Sequence, residues 1–330
     1  MEEKSIWARI SWPIKAIVIT TFVLAIGALV FRIGKFDGEA MNIASITTKN
    51  QEDKGGNTNN TPEIQHDFNY TPEKPVNGEY KGVVEVGASG FNAFIVNIDK
   101  EKRWEIVSKD FGKSFVYEGM ASTTDIRMGL KDYIGGMFDK GVKSKNIHFV
   151  ISSGAQKEPK TALISSELKK MGFVVNLVTP EEEGKLALKC VLPKAYSNTS
   201  FVVDIGSGNT KICWIDQSIQ FEEAPGAKYY EKDMQDSTVY QKVKFAAEKV
   251  LPNRRKICFI IGGVPFELAN QGRKEQERYT VLKDPSKYKT DKIKIRSGVN
   301  IYKAIKDATN CDTFVFDWDA NFTIGFLLSI

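Results

Sequence analysis

The sequence predicts an α/β protein made of two duplicated domains with a cleft between them, preceded by one transmembrane helix. Two similar segments support the duplication: VVEVGASGFNAFIVNID at 83–99 and VVDIGSGNTKICWID at 202–216. Their acidic residues and glycine turns occupy matching places. β-rich and helical segments follow each of them in the same order. A long uncharged run at 16–31 supports the helix.

The N-terminal run AIVITTFVLAIGALVF at 16–31 predicts a membrane-spanning helix over 14–34, after a short tail at 1–13. Lys15 and Arg32 flank the run, and such side chains can reach the membrane surface. No small-residue cleavage pattern follows, which favours an uncleaved single-pass anchor over a signal peptide. The basic residues on the two sides nearly balance, with a weak lean toward a soluble part outside the membrane.

Residues 35–78 are rich in Asn, Thr, Lys, Glu and Gly, a composition that predicts a flexible linker. The folded part then divides into domain I at 79–200 and domain II at 201–330. Both halves predict the order β-β-β-α-β-α-β, which is typical of a mixed sheet covered by helices.

In the first half, the predicted elements after the hairpin are strands at 103–107, 147–152 and 173–178 and helices at 123–140, 159–171 and 180–192. In the second half they are strands at 219–222, 256–261 and 313–317, a helix within 236–251 and a helix at 299–309.

The composition narrows the function. Apolar residues make up 42% and charged residues 26% of the chain, which excludes wholesale disorder. A net charge of +5 comes from interleaved basic and acidic residues, so no specific nucleic-acid partner is expected. The 4 cysteines are widely separated and lack metal-binding spacing, and two of them lie in apolar runs. They are expected to be core residues rather than metal ligands.

Each hairpin turn carries small residues directly after an acidic residue, Glu85 in the first and Asp204 in the second. Such a turn can direct several backbone N–H groups at one point and form a nest for phosphate oxygens. One turn of this kind is weak support, but the pair can grip a phosphate chain from two sides. The candidate phosphate-binding residues are Gly87, Ala88, Ser89, Gly90, Gly206, Ser207, Gly208, Asn209 and Thr210.

The order of the motifs resembles the actin-like ATPase superfamily, most closely its exopolyphosphatase and guanosine pentaphosphatase (Ppx/GppA) branch. The motifs are the two acidic turns, TPEEEGKL at 179–186, a late glycine pair at 262–263 and the C-terminal stretch at 298–328. The first turn is also similar to that of the apyrases. The resemblance implies two ribonuclease H-like domains and Mg²⁺-dependent release of terminal phosphate from polyphosphate or a nucleoside polyphosphate.

The resemblance also implies roles for individual residues. Glu182 would activate the attacking water, with Glu183 as the less favoured candidate, although acidic residues at a helix start also oppose the helix dipole. Asp204 and Glu85 would hold Mg²⁺. The pair Gly262 and Gly263 would contact a nucleotide.

The first turn departs from the family pattern. Glu85 replaces an aspartate, Ala88 and Ser89 occupy the turn, and Asn92 lies near the place of an arginine. The longer Glu85 side chain moves its carboxylate by more than ~1 Å, which favours reduced activity. A degenerate nucleotide- or polyanion-binding membrane sensor is therefore the second hypothesis. An actin-like filament or scaffold protein is the third, and a homodimer stays open as an assembly.

Overall fold

A computed structural model describes residues 68–87, 90–112, 122–274 and 276–330. They lie in one compact unit, Glu63–Ile330. The predicted membrane helix at 14–34 and most of the predicted linker lie outside the described residues. Within the described ranges, no helix has the length and apolar character needed to cross a membrane.

The first half forms a five-stranded sheet in the order β3-β2-β1-β4-β5. Its strands are β1 (Glu79–Gly87), β2 (Gly90–Ile98), β3 (Trp104–Gly112), β4 (Ile147–Ile151) and β5 (Val175–Leu177). Its helices are α1 (Thr123–Asp139), α2 (Pro159–Lys170) and α3 (Pro180–Val191). Most elements follow their sequence predictions closely, whereas β3 continues to Gly112, past its predicted end at 107.

The second half forms a six-stranded sheet in the order β10-β11-β9-β6-β7-β8. Its strands are β6 (Ser200–Ile205), β7 (Asn209–Ile215), β8 (Ile219–Pro225), β9 (Ile257–Ile261), β10 (Tyr279–Val281) and β11 (Phe314–Asp317). Its helices are α4 (Asp236–Ala247), α5 (Gly263–Ala269), α6 (Ile293–Thr309) and α7 (Phe322–Ser329). The sequence did not predict β10, α5 or α7. The first two are short, and α7 is too evenly apolar to show a helical period.

The two sheets share one topology. In each, the first three strands form an antiparallel meander, and the first strand then pairs in parallel with the fourth, as β1 with β4 and β6 with β9. A further parallel strand completes each sheet, and β10 is added at the edge of the second. The duplication predicted from the paired hairpins is therefore present in the fold. The central strands β4 and β9 are apolar runs buried on both faces, as parallel strands require.

A shared core joins the halves. Helix α3 of the first half packs on the second sheet, at β6, β7 and β8, while α7 of the second half packs on β1 and β2. The two helices also pack against each other. Their buried side chains form one cluster with both sheets, which includes Val83, Leu188, Phe259 and Ile324. Each half thus covers the sheet of the other.

The chain is already packed at Phe68, before the predicted start of the folded part at 79. The Phe68 ring lies 5.6 Å from that of Phe259 and 5.3 Å from that of Tyr279, edge to face. Aromatic pairs in this geometry stabilise beyond their buried area. Tyr70 joins the same group, so the last part of the predicted linker belongs to the fold.

All four cysteines, Cys190, Cys213, Cys258 and Cys311, are buried and free, which confirms their prediction as core residues.

Candidate functional site

The two acidic residues singled out from the sequence occupy matching strand positions. Glu85 on β1 lies opposite Asn92 on β2, and Asp204 on β6 lies opposite Lys211 on β7. Each pair also forms a side-chain hydrogen bond. The Asn92 Nδ2 donates to Glu85 Oε2 at 2.8 Å, and the Lys211 Nζ donates to Asp204 Oδ2 at 3.0 Å. The hairpin register therefore sets a different donor beside each carboxylate.

The two glutamates predicted as candidates for water activation, Glu182 and Glu183, have different contacts at the start of α3. Thr179 and Glu182 form a capping box: the Glu182 carboxylate accepts from Thr179 N at 2.7 Å, and Thr179 Oγ1 accepts from Glu182 N at 3.2 Å. Glu182 thus points back to the helix end. Its neighbour Glu183 is buried, and its Oε1 accepts from the backbone N–H of Ser153 at 2.5 Å.

Glu183 and Asp204 share one cation. Lys211 Nζ lies 2.7 Å from Glu183 Oε2 and 3.0 Å from Asp204 Oδ2, and only 6% of the lysine side chain is exposed. Burial lowers the pKa of Lys211, but the two carboxylates outweigh it and hold that pKa above its ordinary value. The side chain is an ammonium ion throughout the physiological range.

Gly184 explains how Glu183 reaches Lys211. A Cβ at Gly184 would lie 2.9 Å from Cys213 Sγ and 3.0 Å from the Phe221 ring, on β7 and β8. Only glycine lets the first turn of α3 approach the second sheet this closely. The close approach brings a first-half carboxylate to a second-half lysine.

Glu85 is held from both halves of the protein. Its Oε2 accepts from Asn92 and, at 3.0 Å, from the Nδ2 of Asn321. Asn321 caps α7 with its other amide atom, because Asn321 Oδ1 accepts from Thr323 N at 2.8 Å. Within the described part of the chain, no donor contacts Glu85 Oε1.

The environment of Glu85 also changes its acidity. Burial raises the pKa of the Glu85 carboxyl. Its two amide donors oppose this rise, and the nearby charges of Glu183 and Asp204 add to it. The three carboxylates therefore lie close enough to interact, and they come from β1, α3 and β6.

The second turn, predicted to bind phosphate, is anchored through its carbonyl groups. Gly206 O and Ser207 O accept from the N–H groups of Ala227 and Lys228, both at 2.9 Å. The N–H groups of Ser207 and Gly208 meet no acceptor among the described residues. Two backbone donors of the turn are therefore available to an anion. Asn209 Nδ2 donates instead to Glu223 at 2.9 Å.

The remaining predicted residues fall into two groups. Thr210 is buried and donates to Pro225 O at 2.8 Å, so it supports the turn from behind. Gly87 ends β1 and Gly90 begins β2. Ala88 and Ser89 lie outside the described residues, so the first phosphate turn stays a prediction.

The glycine pair after β9 lies against the second hairpin. Gly262 has a φ of +112°, and a Cβ there would lie 2.3 Å from Ile205 O and 3.0 Å from Asp204 Oδ1. Gly262 therefore shapes the wall beside Asp204. A Cβ at Gly263 would lie 3.9 Å from Lys294 Nζ, which places a cation near the same strand end.

The ion pairs of Lys211 do not fit a Mg²⁺ ion that bridges Asp204 Oδ2 and Glu183 Oε2. Among the residues that the structure describes, no group of three or more His, Cys, Asp or Glu side chains is arranged to hold a metal. Asp204 Oδ2, one of the two carboxylate oxygens of this predicted ligand, is paired with the Lys211 ammonium. Mg²⁺ needs oxygen ligands at about 2.0–2.1 Å in a near-octahedral arrangement.

Sequence reasoning missed Lys211, Ser153 and Asn321. One signal for Lys211 was present: it is a charged residue in an apolar strand, and a tight hairpin places it opposite Asp204. Ser153 and Asn321 reach the site from distant parts of the chain, and neither carries a local signal.

No protein-family model matches the chain, and no curated protein matches it by sequence. Solved structures do match. A Ppx/GppA family member from Aquifex aeolicus is 17% identical with a TM-score of 0.57, over 76% of this chain and 97% of that one. An exopolyphosphatase from Cytophaga hutchinsonii is 12% identical with a TM-score of 0.60, over 76% and 97%. At these identities the likeness concerns the fold, and it confirms the resemblance predicted from the motifs.

Proposed function

We propose that the protein is a phosphohydrolase that releases terminal phosphate from polyphosphate or a nucleoside polyphosphate. One observation carries this proposal: among the described residues no donor contacts Glu85 Oε1, and the charges of Glu183 and Asp204, which share Lys211, act on the Glu85 carboxyl. The likeness of the fold to exopolyphosphatase structures supports the choice of phosphoanhydrides as the substrate class.

Glu85 is the best placed general base. Its Oε1 can accept a proton from water, and its raised pKa makes it a stronger base than an ordinary glutamate. The water oxygen would bond to the terminal phosphorus, and the bridging P–O bond would break. The proton would pass to Glu85 and the shortened chain would leave as an anion.

The role first predicted for Glu182 moves to another residue in this proposal. The Glu182 carboxylate is engaged in the α3 capping box. Glu183 reaches the cluster, but both of its oxygens already accept, one from Ser153 and one from Lys211. Glu183 is therefore a positioning residue that holds the lysine, and Glu85 keeps the acceptor function.

The hairpin turns would position the substrate. The N–H groups of Ser207 and Gly208, which meet no acceptor among the described residues, are donors for phosphate oxygens, and the turn between Gly87 and Gly90 would contribute further donors. Gly262 and Gly263 would line the nucleotide side when the substrate is a nucleoside polyphosphate.

Phosphate release from tripolyphosphate and from guanosine pentaphosphate tests the proposal with the full chain. Glu85→Gln is expected to lower the rate by about 100-fold or more, since a positioned base contributes that much. Glu182→Gln is the matched control and is expected to keep the rate. No release by the unchanged protein, or equal rates for it and Glu85→Gln, would refute hydrolysis by this site.

A binding function without hydrolysis is the second candidate. Asp204 and Glu183 each have an oxygen paired with Lys211, which favours a fixed site over a catalytic one. Calorimetric titration with the same substrates separates the two. Binding without phosphate release would favour a sensor over a hydrolase.

Membrane attachment through residues 14–34 is part of the proposal, on the uncharged run in the sequence. The full chain is expected to sediment with membranes after an alkaline wash, and a chain lacking residues 1–34 is expected to stay in the supernatant. Recovery of the full chain in the supernatant would refute the anchor. Light scattering of the detergent-solubilised protein would measure its assembly.

A further inference from the structure

We infer that Lys211 is a built-in cation that occupies the place of a divalent metal, so that this site takes its phosphate ligand without Mg²⁺. The phosphate ligand in this statement rests on the proposed function. The exclusion of the metal rests on the Lys211 geometry alone.

The position of the ammonium is the first argument. Lys211 Nζ lies between Asp204 Oδ2 and Glu183 Oε2, at 3.0 and 2.7 Å. A metal ion that bridges the same two oxygens would lie about 2.1 Å from each, in the volume that the ammonium fills. A metal ion at this bridging position and the lysine therefore exclude each other. Moving the lysine away would cost much free energy, because it would leave two buried carboxylates without a cation.

The surroundings of the lysine are the second argument. Lys211 comes from the same hairpin as Ser207 and Gly208, whose N–H groups meet no acceptor among the described residues, and a Cβ at Gly206 would lie 3.5 Å from Lys211 Nζ. The ammonium thus lies just behind the predicted phosphate turn. It offsets one of two carboxylate charges that would otherwise repel an anion there.

The burial of the pair is the third argument. Charged groups are rarely enclosed without partners, because removing a charge from water costs free energy. An apolar side chain at the same place would not have this cost. Here two carboxylates and one lysine are enclosed at the point where three elements of both halves meet. Stability alone does not require ions at that point, whereas a fixed cation favours an anion that is bound there without a metal.

Manganese binding tests the exclusion directly, because Mn²⁺ favours the same oxygen ligands as Mg²⁺ and its free form is measured by electron paramagnetic resonance. The full chain is expected to bind no Mn²⁺ at the cluster, so that Asp204→Asn leaves the titration unchanged. Lys211→Glu replaces the ammonium with a third acidic ligand. It is expected to bind Mn²⁺ at least about tenfold more tightly than the unchanged protein.

Lys242→Glu is the matched control, since it makes the same charge change on the exposed face of α4 and is expected to leave Mn²⁺ binding unchanged. If Lys211→Glu folds poorly, a rise of its melting temperature with added Mg²⁺ is the second measure of the new metal site. Mn²⁺ binding by the unchanged protein that Asp204→Asn abolishes would overturn the inference.

Tripolyphosphate titration separates this inference from the proposed function. Binding is expected to be equal in EDTA and in Mg²⁺. Binding only in Mg²⁺ would overturn the inference and leave the proposed function standing. Absence of binding under both conditions would overturn the proposed function, and Mn²⁺ titration would still decide whether the lysine excludes the metal.

Discussion

The hairpins β1–β2 and β6–β7 have the same register and place an acidic residue at the same point. In the first, the residue opposite is Asn92, and in the second it is Lys211. An amide donates a hydrogen bond and leaves the charge of Glu85 in place. An ammonium also offsets the charge of Asp204. A duplicated backbone can therefore carry two kinds of acid, one available for proton transfer and one neutralised for anion binding.

The largest expected loss of stability comes from removing the cation of the second hairpin. Lys211→Met leaves Glu183 and Asp204 as uncompensated buried charges and is expected to lower the free energy of unfolding by about 3–5 kcal/mol. Asn92→Ala, at the equivalent place in the first hairpin, removes one hydrogen bond and is expected to cost about 1–2 kcal/mol. Urea denaturation measures both. Equal losses would remove the distinction between the hairpins.

The next effect concerns the wall beside Asp204. Gly262→Ala combines a positive φ with a Cβ 2.3 Å from Ile205 O, and is expected to cost about 2–3 kcal/mol of unfolding free energy. Gly208→Ala is the control within the turn itself, where nothing lies within 4 Å of an added Cβ. It is expected to cost less than about 0.5 kcal/mol. A tolerated Gly262→Ala would mean that β9 approaches the hairpin less closely.

Removing the charge of Glu85 and removing that of Asp204 are expected to change the stability of the protein in opposite directions. A carboxyl whose pKa is raised by folding contributes stability that is fully present below its unfolded pKa. This stability is lost as the pH rises through the folded pKa. Glu85→Gln is therefore expected to be more stable than the unchanged protein above the folded pKa of Glu85, with an advantage that grows as the pH rises from the unfolded pKa through the raised folded pKa. Thermal unfolding over a series of pH values measures it.

Asp204→Asn supplies the contrast to Glu85→Gln. It removes one partner of a buried lysine and is expected to destabilise the protein. Stabilisation by both variants, or by neither, would show that the hairpins do not separate the two acids. Phosphate release should also fall as the pH drops through the raised pKa of Glu85, since the base form is then lost.

The smallest effect concerns the glutamates of α3. Glu182→Ala removes half of a capping box and is expected to cost about 0.5–1 kcal/mol, with little change in phosphate release. Asp125→Ala in the capping box of α1 is the matched control and should cost about the same. A large loss of phosphate release in Glu182→Ala would return the water-activating role to this residue.

The order of elements was accessible from the sequence because its signals are local. The hairpins, α1, α2 and α3 carry apolar patterns and the central strands are short apolar runs, and the structure has them within a few residues of the prediction. The start of α6 at Ile293 was placed too late, since basic residues mask the first turn. The evenly apolar α7 showed no period.

By itself, the sequence determined the duplication and the positions of Glu85 and Asp204, because a hairpin records its register in a short stretch of chain. Only the tertiary structure decided which side chains meet them. Gly184 had to bring α3 onto the second sheet before Glu183 rather than Glu182 could reach Lys211. Likewise, α7 had to cross to the first sheet before Asn321 could hold Glu85. Such contacts join distant segments, and the packing between them leaves no periodic trace in either segment.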